Sequence, residues 1–321
     1  MSTSAIRIEE MTKRYRGQIA VDRLTLDVPT GSVFGLLGEN GAGKTTTIQA
    51  LLGLIVPDAG RVETLGLDPS RRGLDVRRRV GYVPEQVSLY DWMTVAEIGW
   101  FAAGFHPEPG STTDPSVPYR ERYRRVVEGF ALPPGRKIRH LSKGMRAKVA
   151  LALALASAPE LLILDEPTSG LDLLVRREFL ESMVDLAGAG RTVLLSSHQV
   201  AEVERVASHV ALLHQGRLIL AEPLDDLRAR TFVLTLTFDD RDHLPAPPRE
   251  LPIELIDADN APLQARWLVH GPAGAIEAIR ALPGVGTLEI RTPSLEEIYI
   301  GYMRRRRPDA GPAPLAAARV A

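Results

Sequence analysis

The stretch VFGLLGENGAGKTT, residues 33–46, constrains this chain more than any other. An apolar run precedes G-x-x-x-x-G-K-T from Gly38 to Thr45, and a helical pattern starts at Lys44. A strand that becomes a helix across glycines crowds backbone N–H groups at the positive end of that helix, which makes a cradle for phosphate oxygens. The spacing therefore predicts that Lys44 bridges the β- and γ-phosphates of a bound nucleotide, that Thr45 ligates Mg²⁺, and that Gly38, Glu39, Asn40, Gly41, Ala42, Gly43 and Thr46 complete the pocket.

The surrounding sequence fits a sheet covered by helices. Short β-rich runs (IRIEE, VFGLLG, LLILD, TVLLSS) alternate with helical patterns from Lys44 and near Arg176, which is the rhythm of a parallel sheet. Ile6 to Val28 reads instead as antiparallel strands. From Tyr90 to His140 the strand signal vanishes, and a helical insertion is expected over about 90–158, with GFHPEPGSTTDPSVPYR as an exposed loop. VALALALA, Val149 to Ala156, falls well short of the roughly 20 apolar residues that span a bilayer and reads as a buried helix.

Beyond Glu222 the pattern changes to FVLTLTF, IELID, ARWLVH, a helix at Ala273 to Leu282, TLEIR and a helix PSLEEIYIGYM. The expected organisation is 1–221 as a nucleotide-binding domain, 222–303 as a small α+β domain and 304–321 as a disordered tail.

Composition narrows the partners. The net charge is -1, so no global field favours nucleic acid. There is no cysteine, which removes thiolate metal sites and Cys nucleophiles and suits a reducing compartment. MSTSAIRIEE lacks the basic-then-apolar pattern of a leader.

LLILDEP adds a second half to the site. An apolar strand delivers Asp165, placed to hold Mg²⁺ through water, and Glu166, placed over the γ-phosphate; adjacent acids with separate jobs suit phosphoryl transfer to water.

Taken together and in order, these residues resemble the ATP-binding cassette (ABC) family over roughly Ile6 to Leu220. Besides GENGAGKT and LLILDEP, GYVPEQ ending at Gln86 is similar to the family's Q-loop and LSKGM to its signature. TSGLD with Asp172 resembles the D-loop, SSH ending at His198 the switch histidine, and Tyr15 in TKRYRG the aromatic that stacks on adenine. The implied fold is α/β: a P-loop NTPase cassette of mixed sheet, antiparallel N-terminal strands and a helical insertion, with the small α+β domain appended.

The resemblance implies a mechanism as well. Two cassettes, identical or related, pack head to tail, so that Ser142, Lys143 and Gly144 of one chain close over ATP held by the other. Glu166 polarises the attacking water, His198 holds the γ-phosphate, and Gln86 touches Mg²⁺ and reports to the insertion. Asp172 communicates across the dimer. Integral membrane permease subunits on separate chains would be the partners, at the cytoplasmic face of the membrane, with no nucleic acid expected.

LSKGM departs from the common LSGGQ at Lys143 and Met145; Met cannot donate an amide hydrogen bond, and Lys143 adds charge near the partner's γ-phosphate. This variant, YDWMTVAEIGWFAAGFHP and SLEEIYIGYM resemble exporter-like systems of the ABC-2 type. Two alternatives stay open: a cassette ATPase acting on nucleic acid or ribosomes, and a nucleotide-binding adaptor that does not hydrolyse.

Overall fold

The computed structural model describes residues 4–106, 117–238, 251–261, 263–280, 282 and 284–305. The chain forms two compact units, Met1–Ala221 and Glu222–Ala321.

In the first unit, β1 (Ser4–Tyr15) and β2 (Gln18–Pro29) form a hairpin whose turn residues Arg16 and Gly17 both have positive φ, as the twist of a tight hairpin requires. β3 (Val33–Leu37) leads into the phosphate loop and then α1 (Lys44–Leu51). β4 (Ala59–Thr64) pairs antiparallel with β1, giving a three-stranded sheet in the order β2-β1-β4. No strand was expected at β4, because its first three residues are exposed and its partner lies some fifty residues earlier in the chain.

After α2 (Pro69–Arg79) come β5 (Val80–Val83) and then three helices: α3 (Val95–Ala103), α4 (Tyr119–Gly129) and α5 (Lys143–Ala156). Thr94 and Glu97 cap α3 reciprocally, each side chain bonding the other's backbone N–H. These helices bury their own core of Val95, Ile98, Tyr123, Val127, Ile138 and Val149. The Tyr123 ring lies so close to Gly99 that any Cβ there would collide with it. Most of the Pro- and Ser-rich loop expected here falls on residues 107–116, outside the described ones.

The remaining elements are β6 (Leu161–Asp165), α6 (Leu173–Gly188), β7 (Thr192–Ser197), α7 (Val200–Val206), β8 (His209–His214) and β9 (Arg217–Pro223). The main sheet runs β5-β6-β7-β3-β8-β9, and β5 to β8 pair in parallel. β3, β6 and β7 are buried at every position, which is why they read as continuous apolar runs.

The second unit carries α8 (Leu224–Arg230), β10 (Thr231–Phe238), β11 (Glu254–Ala261), β12 (Gln264–His270), α9 (Ala273–Ile279), β13 (Val285–Arg291) and α10 (Leu295–Arg305). Its antiparallel sheet is ordered β11-β12-β10-β13 around a core of Trp267, Leu234, Leu236, Ile276 and Ile279. The fully buried Trp267 donates its indole N–H to Asn260 at 3.1 Å, so its one polar atom is satisfied.

Two boundaries differ from the sequence reading. α9 ends at Ile279 rather than Leu282, the chain turning there with Leu282 N–H donating to the Ile279 carbonyl. α10 continues past 303, because Arg304 and Arg305 reach back to Asp257 and Glu254 instead of starting a tail. The rest of the expected tail lies outside the described residues.

Candidate functional site

Strand register brings the chemistry together. Asp165 on β6 stands opposite Ser196 on β7, and Leu37 on β3 opposite Ser197. The phosphate loop, the Asp165–Glu166 pair and His198 therefore leave the sheet side by side at the carboxyl ends of three adjacent strands, where open α/β sheets bind ligands.

The loop between β3 and α1 needs its glycines. A Cβ on Gly38 would stand 2.5 Å from the Leu213 carbonyl oxygen, and one on Gly43 would stand 2.7 Å from that of Ala20. Gly41 and Gly43 have φ of 83° and 105°, a region that favours glycine. Glu39, Asn40, Gly41 and Thr45 are exposed, Thr46 is half-buried, and Ala42 packs inside.

Lys44 folds back into this loop. Its ammonium, 6% exposed, donates to the Gly38 carbonyl at 2.6 Å and the Glu39 carbonyl at 3.4 Å, and stands 3.0 Å from Glu166 Oε1. Glu166 is equally buried, and its other oxygen, Oε2, lies 2.7 Å from His198 Nδ1 and accepts the His198 backbone N–H at 3.2 Å. Oε1 meets the ammonium without an aligned hydrogen bond, which leaves an acceptor pointed at the phosphate loop. Glu166 sits at φ 48°, held by its N–H to the Ser196 carbonyl at 3.1 Å. A non-glycine residue in this region costs about 1–2 kcal/mol, and such strain collects at functional positions.

Beside it, Thr45 Oγ1 donates to Asp165 Oδ2 at 3.0 Å, and the buried Ser196 hydroxyl donates to Oδ1 at 2.6 Å. A hydroxyl and a carboxylate side by side are hard oxygen donors that fit Mg²⁺, which takes one or two protein ligands and completes its shell with water and phosphate. Burial, helped by the charge of Asp165, pushes the nearby Tyr82 hydroxyl up to about 12.

The other expected residues stand apart from this cluster. Gln86 is exposed in the loop after β5 and has no hydrogen bond to the group. Tyr15 closes the β1–β2 hairpin, 42% exposed, with the Lys13 ammonium 5.5 Å from its ring. Ser142 is the N-cap of α5, accepting the Met145 N–H at 3.2 Å, and Asp172 is the N-cap of α6, accepting the Val175 N–H at 3.1 Å.

Gly144 packs against Val175, where a Cβ would come within 2.9 Å. Lys143 lays its amine over Gly170 of its own chain, where an added methyl would collide with it. To reach a partner's nucleotide, Lys143 would have to leave that place.

Sequence reasoning missed Ser196, Thr168, Arg176, Gln199 and Glu202. Ser196 lies inside the SSH motif, so the register of β6 and β7 could have flagged it. Glu202 gives no such signal: it reads as the polar position of a short amphipathic helix, yet it is 5% exposed.

No described helix is long and apolar enough to cross a membrane. The model of the ABC transporter family matches residues 21–169. A daunorubicin resistance ATP-binding protein, DrrA3 of Streptomyces coeruleorubidus, is 33% identical over 94% of this chain and 96% of its own length. The bacitracin transport ATP-binding protein BcrA of Bacillus licheniformis is 36% identical over 72% of this chain and 73% of its own. Among solved structures, an ATP-binding subunit of an ABC transporter superposes with TM-score 0.63 at 32% identity, covering 70% of this chain and 92% of that one. With GENGAGKT, LLILDEP and SSH meeting at the carboxyl ends of three adjacent strands, and with relatives such as DrrA3, the chain belongs to the ABC transporter family as an ATP-hydrolysing, ATP-binding subunit.

Proposed function

We propose that this chain powers export through separate membrane subunits, with Lys44, Thr45, Asp165, Glu166 and His198 as its hydrolytic group. The observation that carries the reading is the series Lys44–Glu166–His198, linked at 3.0 and 2.7 Å, in which the buried Lys44 and Glu166 lead to a His198 that is open to solvent. Bound ATP offers Lys44 phosphate oxygens in place of Glu166 Oε1 and frees that oxygen to polarise a water. His198 fixes the carboxylate through Oε2, and its exposed side chain would face the γ-phosphate. Mg²⁺, held by Thr45 and Asp165, would neutralise charge developing on the phosphates.

A second cassette, identical or related, would complete the site. The first turn of its α5, capped by Ser142, would present backbone N–H groups and the positive helix end to the γ-phosphate. Tyr15 would stack on the adenine, and Asp172 would lie at the seam.

Gln86 and the helical insertion would face the membrane subunits. Pro84, Val87, Ala102, His106 and Tyr119 line a groove there of about 340 Å³. Relatives named for daunorubicin resistance, bacitracin transport and Nod factor export support export as the direction; the cytoplasmic face of the membrane would be the location.

Size-exclusion chromatography of the Glu166→Gln chain with Mg-ATP tests the pairing. The expected result is an ATP-dependent dimer that Ser142→Arg abolishes. ATP bound to an unchanged monomer, or a dimer indifferent to Ser142→Arg, would overturn it.

A further inference from the structure

Behind the hydrolytic group lies a second buried polar cluster that the mechanism above does not use. Glu202 on α7 accepts the Thr168 hydroxyl at 2.6 Å and the Ser197 hydroxyl at 3.3 Å through Oε2. Thr168 lies two residues after Glu166, and Ser197 lies one before His198. One carboxylate therefore holds the hydroxyls of two residues that flank the Glu166–His198 pair in sequence.

Its other oxygen, Oε1, faces Arg176 Nε at 3.3 Å. That guanidinium, on the first turn of α6, spreads its remaining donors in two directions: Nη1 to the Gln199 side-chain oxygen at 2.7 Å and Nη2 to the Leu171 carbonyl at 3.3 Å. Leu171 precedes Asp172, and Gln199 follows His198. Arg176 thus ties the TSGLD turn to the switch-histidine loop, and Glu202 ties the same loop to the Glu166 segment.

The chemistry suits coupling more than stability. A buried ion pair adds little net stability over an apolar pair of the same volume. Arg176 Nε and Glu202 Oε1 also face each other without an aligned hydrogen bond, so the pair holds position while leaving bonding capacity unused. What the pair does supply is rigidity. A planar fork spanning three partners cannot follow a shift of Leu171 without moving Gln199, and with it His198.

We infer that Arg176 and Glu202 are positioning residues that make the orientation of the Glu166–His198 pair depend on the position of the Leu171–Asp172 turn. This rests on the assignment of Glu166 and His198 to hydrolysis, but its test does not depend on turnover.

The full chain is labelled with ¹³C-histidine, the His198 signal is assigned with His198→Gln, and Arg176→Met, Arg176→Lys and Glu202→Gln are compared with the wild type without nucleotide. The expected result is a displaced His198 resonance in Arg176→Met and Glu202→Gln. Arg176→Lys, which keeps the charge and loses the three-way fork, should displace it too. In ATPase assays of the same variants kcat should fall about 10- to 100-fold with KM for ATP within about twofold, as misplacement of catalytic groups predicts.

A His198 signal unmoved in any variant that folds would overturn the inference, as would a purely structural outcome in which melting temperature falls and both the signal and kcat stay at wild-type values. If the wild type hydrolyses no ATP, the hydrolytic reading fails, and the His198 signal still decides whether the two loops are coupled.

Discussion

Replacing Lys44 with Met should destabilise the nucleotide-free chain, and the loss should largely disappear when Glu166→Gln is added. In the structure the Lys44 ammonium neutralises a carboxylate that is 7% exposed on its side chain, at 3.0 Å. Removing one partner of a buried pair costs about 3–5 kcal/mol, because the other charge stays buried. Glu166 keeps two bonds from His198, at 2.7 and 3.2 Å, which offset part of that loss. A cost of about 2–4 kcal/mol is the result. For a unit the size of Met1–Ala221 each kcal/mol moves Tm by roughly 2–4 °C, so the shift should be about 4–16 °C downward. Lys44→Met with Glu166→Gln leaves no uncompensated charge, and a coupling of about 1–3 kcal/mol should separate the double variant from the sum of the singles. Scanning calorimetry of the four chains without ATP measures this cycle. Strictly additive singles, or a Lys44→Met transition within 1 °C of the wild type, would refute the buried-pair argument.

Three further outcomes follow from the same coordinates. Gly38→Ala, whose Cβ would meet the Leu213 carbonyl at 2.5 Å, should distort the phosphate loop and weaken ATP binding at least tenfold by calorimetric titration, in line with an overpacking cost of about 1–3 kcal/mol. Thr45→Val should leave ATP binding measurable but independent of Mg²⁺, at about the affinity that the wild type falls to when the cation is chelated; calorimetric titration with and without chelator measures both. In the second unit, hydrogen bonds from Arg291, with help from the Ser294 N–H and the charge of Arg266, lower the Glu297 carboxyl to about 2 from an ordinary 4.5. Its stabilisation is therefore complete above pH 4.5 and is lost as pH falls toward 2; Glu297→Gln should flatten that limb of the melting profile by about 0.5–1 kcal/mol, a small figure because the groups are largely solvated.

The parallel sheet and phosphate loop were legible because fully buried strands leave continuous apolar runs, and because the glycine spacing answers to backbone geometry that local sequence controls. The helical insertion was legible for a related reason: α4 and α5 keep helical periodicity over their whole length. β4 was not, since a strand with three exposed leading residues is specified by its distant partner β1 rather than by its own pattern. At the site, motifs placed Lys44, Thr45, Asp165, Glu166 and His198, which the fold brings side by side as two contacting sets, Lys44–Glu166–His198 and Thr45–Asp165. The motifs did not indicate that Lys44 and Glu166 pair with each other, or that Lys143 lies on Gly170, because both depend on how separate loops pack. Arg176 and Glu202 were invisible for the same reason, being charged residues on amphipathic helices until tertiary contact buries them.

In the proposed mechanism Glu166 is the group that activates water for ATP hydrolysis. The steady-state Mg²⁺-dependent ATPase rate of Glu166→Gln against wild type, with ATP affinity measured in parallel, tests it most directly. A rate at least about 100-fold lower with ATP still bound is the expected result, the scale of losing a general base. Turnover at the wild-type rate in Glu166→Gln would contradict it.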